Sequence, residues 1–312
     1  HLPLGCTIVL EKKAKDFILE NIRNATLFNR NQLLNKIRNY RHQTTLPLTL
    51  KNFSNLYHIP LQLIYKKGNW KRLCAIAEQI EDYPTTNEHE IYRAINKKWF
   101  SCNSISYFQF ILKLAEQDFD IDFSNLNEVE KTMCLMLHYD VWQNAGGFNS
   151  LEDSVKAMGK NRVLTVEIIE VLEILVDKID FLESEISLPY SQPLKLHSRY
   201  TRDQILVAFK MSTFEKVSSN KIVVGVAENK DLNTELLFID LIKSEKDFSP
   251  STLYQDYAIS ENLFHWQSQN ATRPDTGKGL TYINQKELNK IILLFVRERN
   301  EDEYKNPDMW HK

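Results

Sequence analysis

The chain has little glycine and proline, with eight glycines and nine prolines among 312 residues. Phosphate-binding loops need closely spaced glycines, as in the patterns G-x-x-x-x-G-K-[ST] and G-x-G-x-x-G, and neither pattern occurs. The zinc-hydrolase pattern H-E-x-x-H and the serine-hydrolase pattern G-x-S-x-G are missing as well. These absences exclude the common motif-defined nucleotide-binding and hydrolase classes, and we expect no catalytic activity from this chain.

Cysteine is also scarce, and long apolar runs are absent. The four cysteines form no C-x-x-C pair, which argues against a metal site and favours a reducing, cytoplasmic location. No apolar run reaches the roughly 18 residues that a membrane span needs, and no signal peptide is seen, so we expect no membrane association. A formal net charge of −2 requires any polyanion site to be a local patch. The first residue is His1, which indicates a fragment or a processed piece.

Two kinds of hydrophobic period divide the chain. From about 11 to 186, apolar residues recur three and four apart, which predicts helices, including one over 11–26. Beyond two prolines near 188–196, short apolar runs separated by turn residues predict strands. The expected fold class is therefore α+β, with an all-helical domain over 1–190 and a small, mostly-β barrel or sandwich over 191–312. The runs that predict strands are "KIVVGVAENK", "ELLFIDLIK", "NLFHWQSQ", "LTYIN" and "IILLFVRER".

Polar side chains mark the ends of several predicted helices. Ser150 precedes an apolar-periodic run and is expected to cap it. Thr201 and Gln204 stand in the spacing of a capping box, which predicts a short helix over "TRDQILVAFK".

The segment "YQDYAISENLFHWQSQ" concentrates aromatic rings, amides and one imidazole. If 263–269 is a strand, alternation places Phe264 and Trp266 on one face and His265 on the other. Amides read base edges and aromatic rings stack on bases, so this inventory fits a pocket for a flipped base. Ordinary core packing explains the aromatic residues equally well, and a structural role explains the lone histidine. The candidate pocket residues are Tyr254, Asp256, Tyr257, His265, Trp266, Gln267 and Gln269.

Three segments carry a family resemblance: "QPLKLHSRYTRDQILVAF" (192–209), "YQDYAISENLFHWQSQNATRPDTGKGLTYI" (254–283) and "LLFVRE" (293–298). With "LPLGCTIVLEKKAKDFILENI" (2–22), they resemble the C-terminal region of bacterial proteins that fuse a phospholipase-D-type nuclease to a superfamily 2 helicase. Among these are type IV restriction endonucleases that depend on modified cytosine.

The resemblance implies a helical coupler followed by a target-recognition domain similar to SRA domains, which flip 5-methylcytosine into a pocket. The implied partners are double-stranded DNA containing modified cytosine and the nuclease and helicase domains of the same parent chain. No cofactor is expected in this piece, whereas ATP and Mg²⁺ are expected for the parent enzyme. The expected contacts to the DNA backbone are Arg199, Arg202, Arg273, Lys278 and Lys286.

Two runs of the coupler, 29–43 and 65–72, are basic and contain no acidic residue. They fit duplex phosphates or, alternatively, a solvated helix face. Between them, "LTLKNFSNLYHIPLQLIY" predicts a short helical hairpin, for which a helix–turn–helix reading is weak. The basic residues are Arg30, Lys36, Arg38, Arg41, Lys66, Lys67, Lys71 and Arg72.

Two other functions stay open on the sequence alone. The chain is alternatively a protein-interaction scaffold that docks nuclease and helicase domains without reading a base. A free-standing nuclease is disfavoured, because Asp240 and Lys243 lie three apart on one predicted strand and therefore point to opposite faces.

Overall fold

The structure is a computed structural model that describes residues 29–143, 147–218, 225–241, 256–260, 263–268, 272–298 and the strand at 310–311. The helix predicted over 11–26 lies outside the described residues. The chain forms two compact units, His1–Pro84 and Thr85–Lys312. The predicted boundary near 188–196 lies inside the second unit, and the division into 1–190 and 191–312 stays a prediction.

The described part of the first unit consists of four helices around an aromatic core. The ring of Phe53 is fully buried and lies 4.8 Å from the ring of Tyr57 and 4.9 Å from that of Trp70, centroid to centroid. The first helix begins at a capping box, in which the side chain of Asn29 accepts a hydrogen bond from the backbone N–H of Gln32. The helices are α1 Arg30–Gln43, α2 Leu50–Tyr57, α3 Leu61–Tyr65 and α4 Trp70–Ala77.

The second unit begins with a helical layer. Its long helices start at side-chain caps, with Ser104, Asn127, Ser150 and Asn161 each accepting from a backbone N–H of the first turn, so the cap expected at Ser150 is confirmed. The helices are α5 Glu88–Ala94, continued by a π turn Ile95–Trp99, α6 Ile105–Glu116, α7 Glu128–Trp142, α8 Leu151–Lys156 and α9 Arg162–Asp177. Single 3₁₀ turns cover Phe123–Asn125 and Ala157–Lys160.

Strands follow the helical layer. The strands are β1 Ser184–Glu185, β2 Lys195–Leu196, β3 Arg199–Tyr200, β4 Val226–Asn229, β5 Thr234–Asp240, β6 Tyr257–Ser260, β7 Leu263–His265, β8 Ile291–Arg297 and β9 Trp310–His311. Two helices interrupt them, α10 Arg202–Ala208 and α11 Gly277–Ile283. The α+β class, with helices first and small sheets after them, is confirmed.

The largest sheet has the order β3-β9-β8-β5-β4, with β3 and β4 at the edges among the described strands. β5 and β8 pair in parallel, and β4 pairs antiparallel with β5. Alternation along β5 sends Leu237 and Ile239 to one face and Phe238 to the other. On the face that carries Phe238, the centroid of the Phe295 ring lies 5.7 Å from that of Phe238. It lies 6.0 Å from the ring centroid of Phe209, the residue that follows α10.

The strand predicted over "LTYIN" (280–284) is wrong, because its first four residues belong to α11 and Asn284 caps the end of that helix. Gly279 lets the start of α11 pass close to the preceding chain, since a Cβ at this position would lie 1.9 Å from the carbonyl oxygen of Arg273. Tyr282 faces the sheet, where its hydroxyl donates to Glu235 over 2.7 Å. Contacts with residues distant in sequence therefore override a locally β-favouring composition.

Candidate functional site

The row of aromatic and polar side chains lies on a two-stranded ribbon formed by β6 and β7. Tyr257 stands opposite His265, and the register shifts between Ala258 and Ser260. The strand ends at His265, so strict alternation does not extend to 269 as the sequence pattern suggested. Tyr254 and Gln269 lie outside the described residues.

One side of the ribbon packs on the sheet. Phe264 and Trp266 are half-buried and contact a core cluster that includes Val226, Leu237 and Ile239. Trp266 and Phe264 thus follow the packing interpretation, and Trp266 anchors the ribbon to the sheet.

The other side of the ribbon presents an aromatic pair to solvent. The rings of Tyr257 and His265 lie 4.9 Å apart with their planes at 31°. Tyr257 is 50% exposed, and the neighbouring Ile259 and Leu263 are each 56% exposed. At this separation and angle the two rings partly stack on each other, so a third ring can stack on an outer face of the pair.

Asp256 ties the two strands together at the open end of the ribbon, where β6 begins and β7 ends. Its Oδ1 accepts a hydrogen bond of 2.9 Å from the backbone N–H of Gln267. This bond holds the chain just after His265 beside the start of β6 and leaves the side chain of Gln267 at the exposed surface. A carboxylate has about four acceptor positions, so several donors can share it.

A charge cluster borders the ribbon on the same sheet face. Glu228 and Glu235 are direct partners on β4 and β5, an arrangement that repels unless cations compensate it. Lys290 contacts the carboxylate of Glu228, and Lys278 Nζ lies 2.9 Å from Glu235 Oε1. The hydrogen bond and nearby charge of Lys290 lower the pKa of Glu228. Lys278, expected on DNA phosphates, is therefore engaged in the protein.

Tyr282 connects this cluster to the ribbon. Its hydroxyl bonds Glu235, which is 1% exposed, and its ring meets Trp266 edge to face at 5.3 Å. Burial, then the hydrogen bond to Glu235, raise the pKa of Tyr282. The sequence pattern did not single out Tyr282, Glu228 or Glu235 as site residues. The signal that could have found the two glutamates is that each is a charged residue within a predicted, mostly apolar strand.

The other expected phosphate contacts are dispersed. The guanidinium of Arg202 lies 4.0 Å over the ring of Phe238, and burial followed by the charge of Arg297 lowers the pKa of Arg202 to about 10. It still carries its charge at neutral pH. The remaining three are exposed: Arg199 lies on β3, Arg273 precedes α11 and Lys286 follows it.

The basic residues of the runs 29–43 and 65–72 all lie in the first unit. They are Arg30, Lys36, Arg38 and Arg41 on α1, Lys66 and Lys67 in the turn after α3, and Lys71 and Arg72 on α4. Two of them stack on tyrosines, with Lys36 Nζ 4.4 Å from the Tyr57 ring centroid and Arg72 Cζ 4.7 Å from that of Tyr83. The Nε of Arg38 donates to the carbonyl of Ala77 over 3.2 Å.

Asp140 links the helical layer to α10. Its Oδ2 accepts from Trp99 Nε1 at 3.0 Å, from the Tyr107 hydroxyl at 2.8 Å and from Gln204 Nε2 at 2.8 Å. Gln204 in turn accepts from the backbone N–H of Thr201, completing the capping box that the sequence predicts. Burial raises the pKa of Asp140 to about 6.

Glu183 makes a second link. Its Oε1 accepts from the hydroxyl of Ser104 at 2.7 Å and from that of Ser198 at 2.9 Å, and its Oε2 accepts from the backbone N–H of Ser106 at 2.8 Å. The carboxylate therefore ties the start of α6 to the segment that leads into β3. Negative charge is favoured at a helix N-terminus.

Among the described residues, no group of three or more histidine, cysteine, aspartate or glutamate side chains is placed to hold a metal ion. No helix in the described ranges is long and apolar enough to cross a bilayer. Asp240, considered above with Lys243, forms an ion pair with Arg297 instead, and Lys243 lies outside the described residues.

Part of the chain matches a known family model. The model for a domain of unknown function, DUF3427, matches residues 194–307, a range that contains the ribbon, the charge cluster and most of the sheet. Comparisons with curated proteins and with solved structures return no significant match.

Proposed function

We propose that the ribbon reads a modified cytosine, 5-methylcytosine in the first instance, in double-stranded DNA after the base leaves the helix. The observation that carries the proposal is the solvent-facing pair of Tyr257 and His265, with ring centroids 4.9 Å apart on a ribbon anchored to a sheet. The resemblance to the target-recognition region of modified-cytosine-dependent restriction enzymes supports the same function.

The energetic requirements suit such a platform. Extruding a base costs a few kcal/mol of pairing and stacking. Stacking on an aromatic side chain returns about 1–3 kcal/mol, and hydrogen bonds to the base edge add to it. Asp256 is our choice for the acceptor of the cytosine N4 amine, which thymine lacks, and Gln267 presents an amide beside it.

Discrimination of the methyl group is a smaller quantity. Burial of one methyl is worth about 0.8 kcal/mol, or roughly a fourfold difference in Kd. A larger preference needs close shape complementarity around C5 of the base. In the parent protein, the proposed role of this chain is to report the modified base to helicase and nuclease domains that use ATP and Mg²⁺.

Fluorescence anisotropy with matched methylated and unmethylated duplexes tests the proposal. Tyr257→Ala is expected to weaken binding of the methylated duplex by about 5- to 150-fold, the equivalent of 1–3 kcal/mol. Ile259→Ala is the matched control, because Ile259 is similarly exposed on the same strand but has no ring. A fluorescent 2-aminopurine next to the target base reports unstacking independently of affinity. Equal affinity of the chain for both duplexes contradicts the proposal.

A second candidate, a protein-docking scaffold, is favoured by exposed apolar side chains on the ribbon and α11. Ile259 and Leu263 lie on the ribbon, Leu280 and Ile283 on α11 are 44% and 65% exposed, and Leu288, which follows α11 in sequence, is 50% exposed. Exposed apolar patches mark interaction sites. A gel shift that compares methylated with unmethylated duplex separates the two candidates, since a pure scaffold has no preference for the methylated duplex.

A further inference from the structure

The charges of the first unit are distributed in an unusual way. From Asn29 to Ala77 the sequence contains no aspartate or glutamate, although the whole chain is slightly acidic at −2. The same stretch contains nine cationic residues, namely Arg30, Lys36, Arg38, Arg41, Lys51, Lys66, Lys67, Lys71 and Arg72. A local excess of this size attracts a polyanion whatever the net charge of the chain.

Within the same stretch, two short helices, α2 and α3, follow each other across a tight turn. The eight residues of α2 are followed by a three-residue turn and then by α3. His58 opens the turn in the left-handed conformation, with φ 51° and ψ 40°. Ser54 fastens the turn from both sides, because its carbonyl accepts from the N–H of Ile59 at 3.1 Å and its hydroxyl donates to the carbonyl of Ile59 at 2.8 Å.

The second helix of the motif is short and mostly buried. Leu61, Leu63, Ile64 and Tyr65 are at most 3% exposed, so α3 offers little side-chain surface for reading base edges. The cations Lys66 and Lys67 come immediately after it. Such a module is suited to phosphates rather than to sequence.

A surface cleft of about 670 Å³ accompanies the motif, at the end where α2 begins. Its polar lining consists of Arg41, Lys71, Thr44, Thr45 and Glu78, and the rest is mostly apolar. Arg41 also lies 3.6 Å from Glu78, but it is 80% exposed, and an ion pair of this kind is weak enough for a phosphate to replace it.

We infer that residues 29–77 form a helical module that binds the phosphates of duplex DNA without regard to methylation. This inference does not depend on base recognition by the ribbon. The two proposed sites have different roles: residues 29–77 bind the duplex through charge, and the ribbon binds one base.

The test measures binding of the 312-residue chain to an unmethylated duplex over a series of salt concentrations. The double variant Lys66→Gln/Lys67→Gln is expected to lower the slope of log K against log salt by about 2, or about 1 for each phosphate that a lysine no longer neutralises. Its affinity for methylated duplex falls by the same factor. The control Lys160→Gln/Lys230→Gln makes the same charge change at exposed positions in the second unit.

The outcomes separate this inference from the proposed function. In a Tyr257→Ala chain, binding of unmethylated duplex is expected to persist with its full salt slope. A slope that is unchanged by the Lys66/Lys67 variant, or lowered equally by the control, overturns the inference. Binding of polyglutamate in the absence of any duplex binding also overturns it and points to an acidic protein partner. Circular dichroism verifies that each variant is folded.

Discussion

Replacing Asp140 with asparagine removes a charge that the fold holds entirely out of water. Three donors bond Oδ2, whereas within the described part of the chain Oδ1 accepts no hydrogen bond. Burial dominates these bonds and raises the pKa of Asp140 from 3.8 to about 6. Asparagine keeps one acceptor oxygen for the donors and does not titrate.

The sign of the pH dependence follows from the direction of this shift. Between about pH 4 and pH 6, the folded protein keeps a proton on Asp140 that the unfolded chain has released. The stability that this proton contributes is complete below about pH 4 and is lost as the pH rises through 6. A shift of roughly two units corresponds to about 3 kcal/mol, of which about 2 kcal/mol falls between pH 4.5 and 7.

Urea unfolding of the two proteins across this pH range measures the effect. The stability of the native chain relative to Asp140→Asn is expected to fall by about 2 kcal/mol from pH 4.5 to pH 7. Taking the difference cancels the titration of other carboxylates, including Glu228, whose lowered pKa acts in the opposite sense. Asp231→Asn, at an exposed turn, is the control for the loss of one carboxylate. A constant difference for Asp140→Asn would refute the reasoning.

Two further substitutions test packing. Gly279→Ala places a Cβ 1.9 Å from the carbonyl oxygen of Arg273 and is expected to lower the free energy of unfolding by about 1–3 kcal/mol. Gly225→Ala is the control and should change the free energy of unfolding little, because its nearest contact would be at 3.4 Å. Thermal unfolding compares the two variants, and equal effects would count against the steric argument. Phe53→Ala is expected to lower the free energy of unfolding by about 3–5 kcal/mol, because the ring is fully buried among other rings. Leu56→Ala, at a residue that is 39% exposed, should change it by no more than about 0.5 kcal/mol. Urea unfolding measures both, and a small loss for Phe53→Ala would contradict the core assignment.

Local signals in the sequence predicted local structure well. The capping box of Thr201 and Gln204 needs only residues three apart, and it is present. The apolar runs over 234–240 and 291–297 are strands as expected. In each of these cases, the interactions that decide the structure lie within a few residues or follow directly from burial of an apolar run.

Long-range pairing accounts for what the sequence did not reveal. Lys290 meets Glu228 across 62 positions of sequence, and Tyr282 meets Glu235 across 47. Neither contact produces a periodic pattern in the sequence, because each depends on which strands are neighbours in the sheet. For the same reason, nothing in the sequence showed that Lys278, expected to contact phosphates, forms an ion pair with Glu235.

The parallel pairing of β5 with β8 has a consequence for how this protein can change. Parallel neighbours run in the same direction, so the chain leaving Asp240 must return to the opposite end of the sheet to begin Ile291. The ribbon and α11 both belong to this crossover. Substitutions in the crossover leave the seven paired positions of β5 and β8 untouched, so this part of the chain can vary on a scaffold that does not have to be rebuilt.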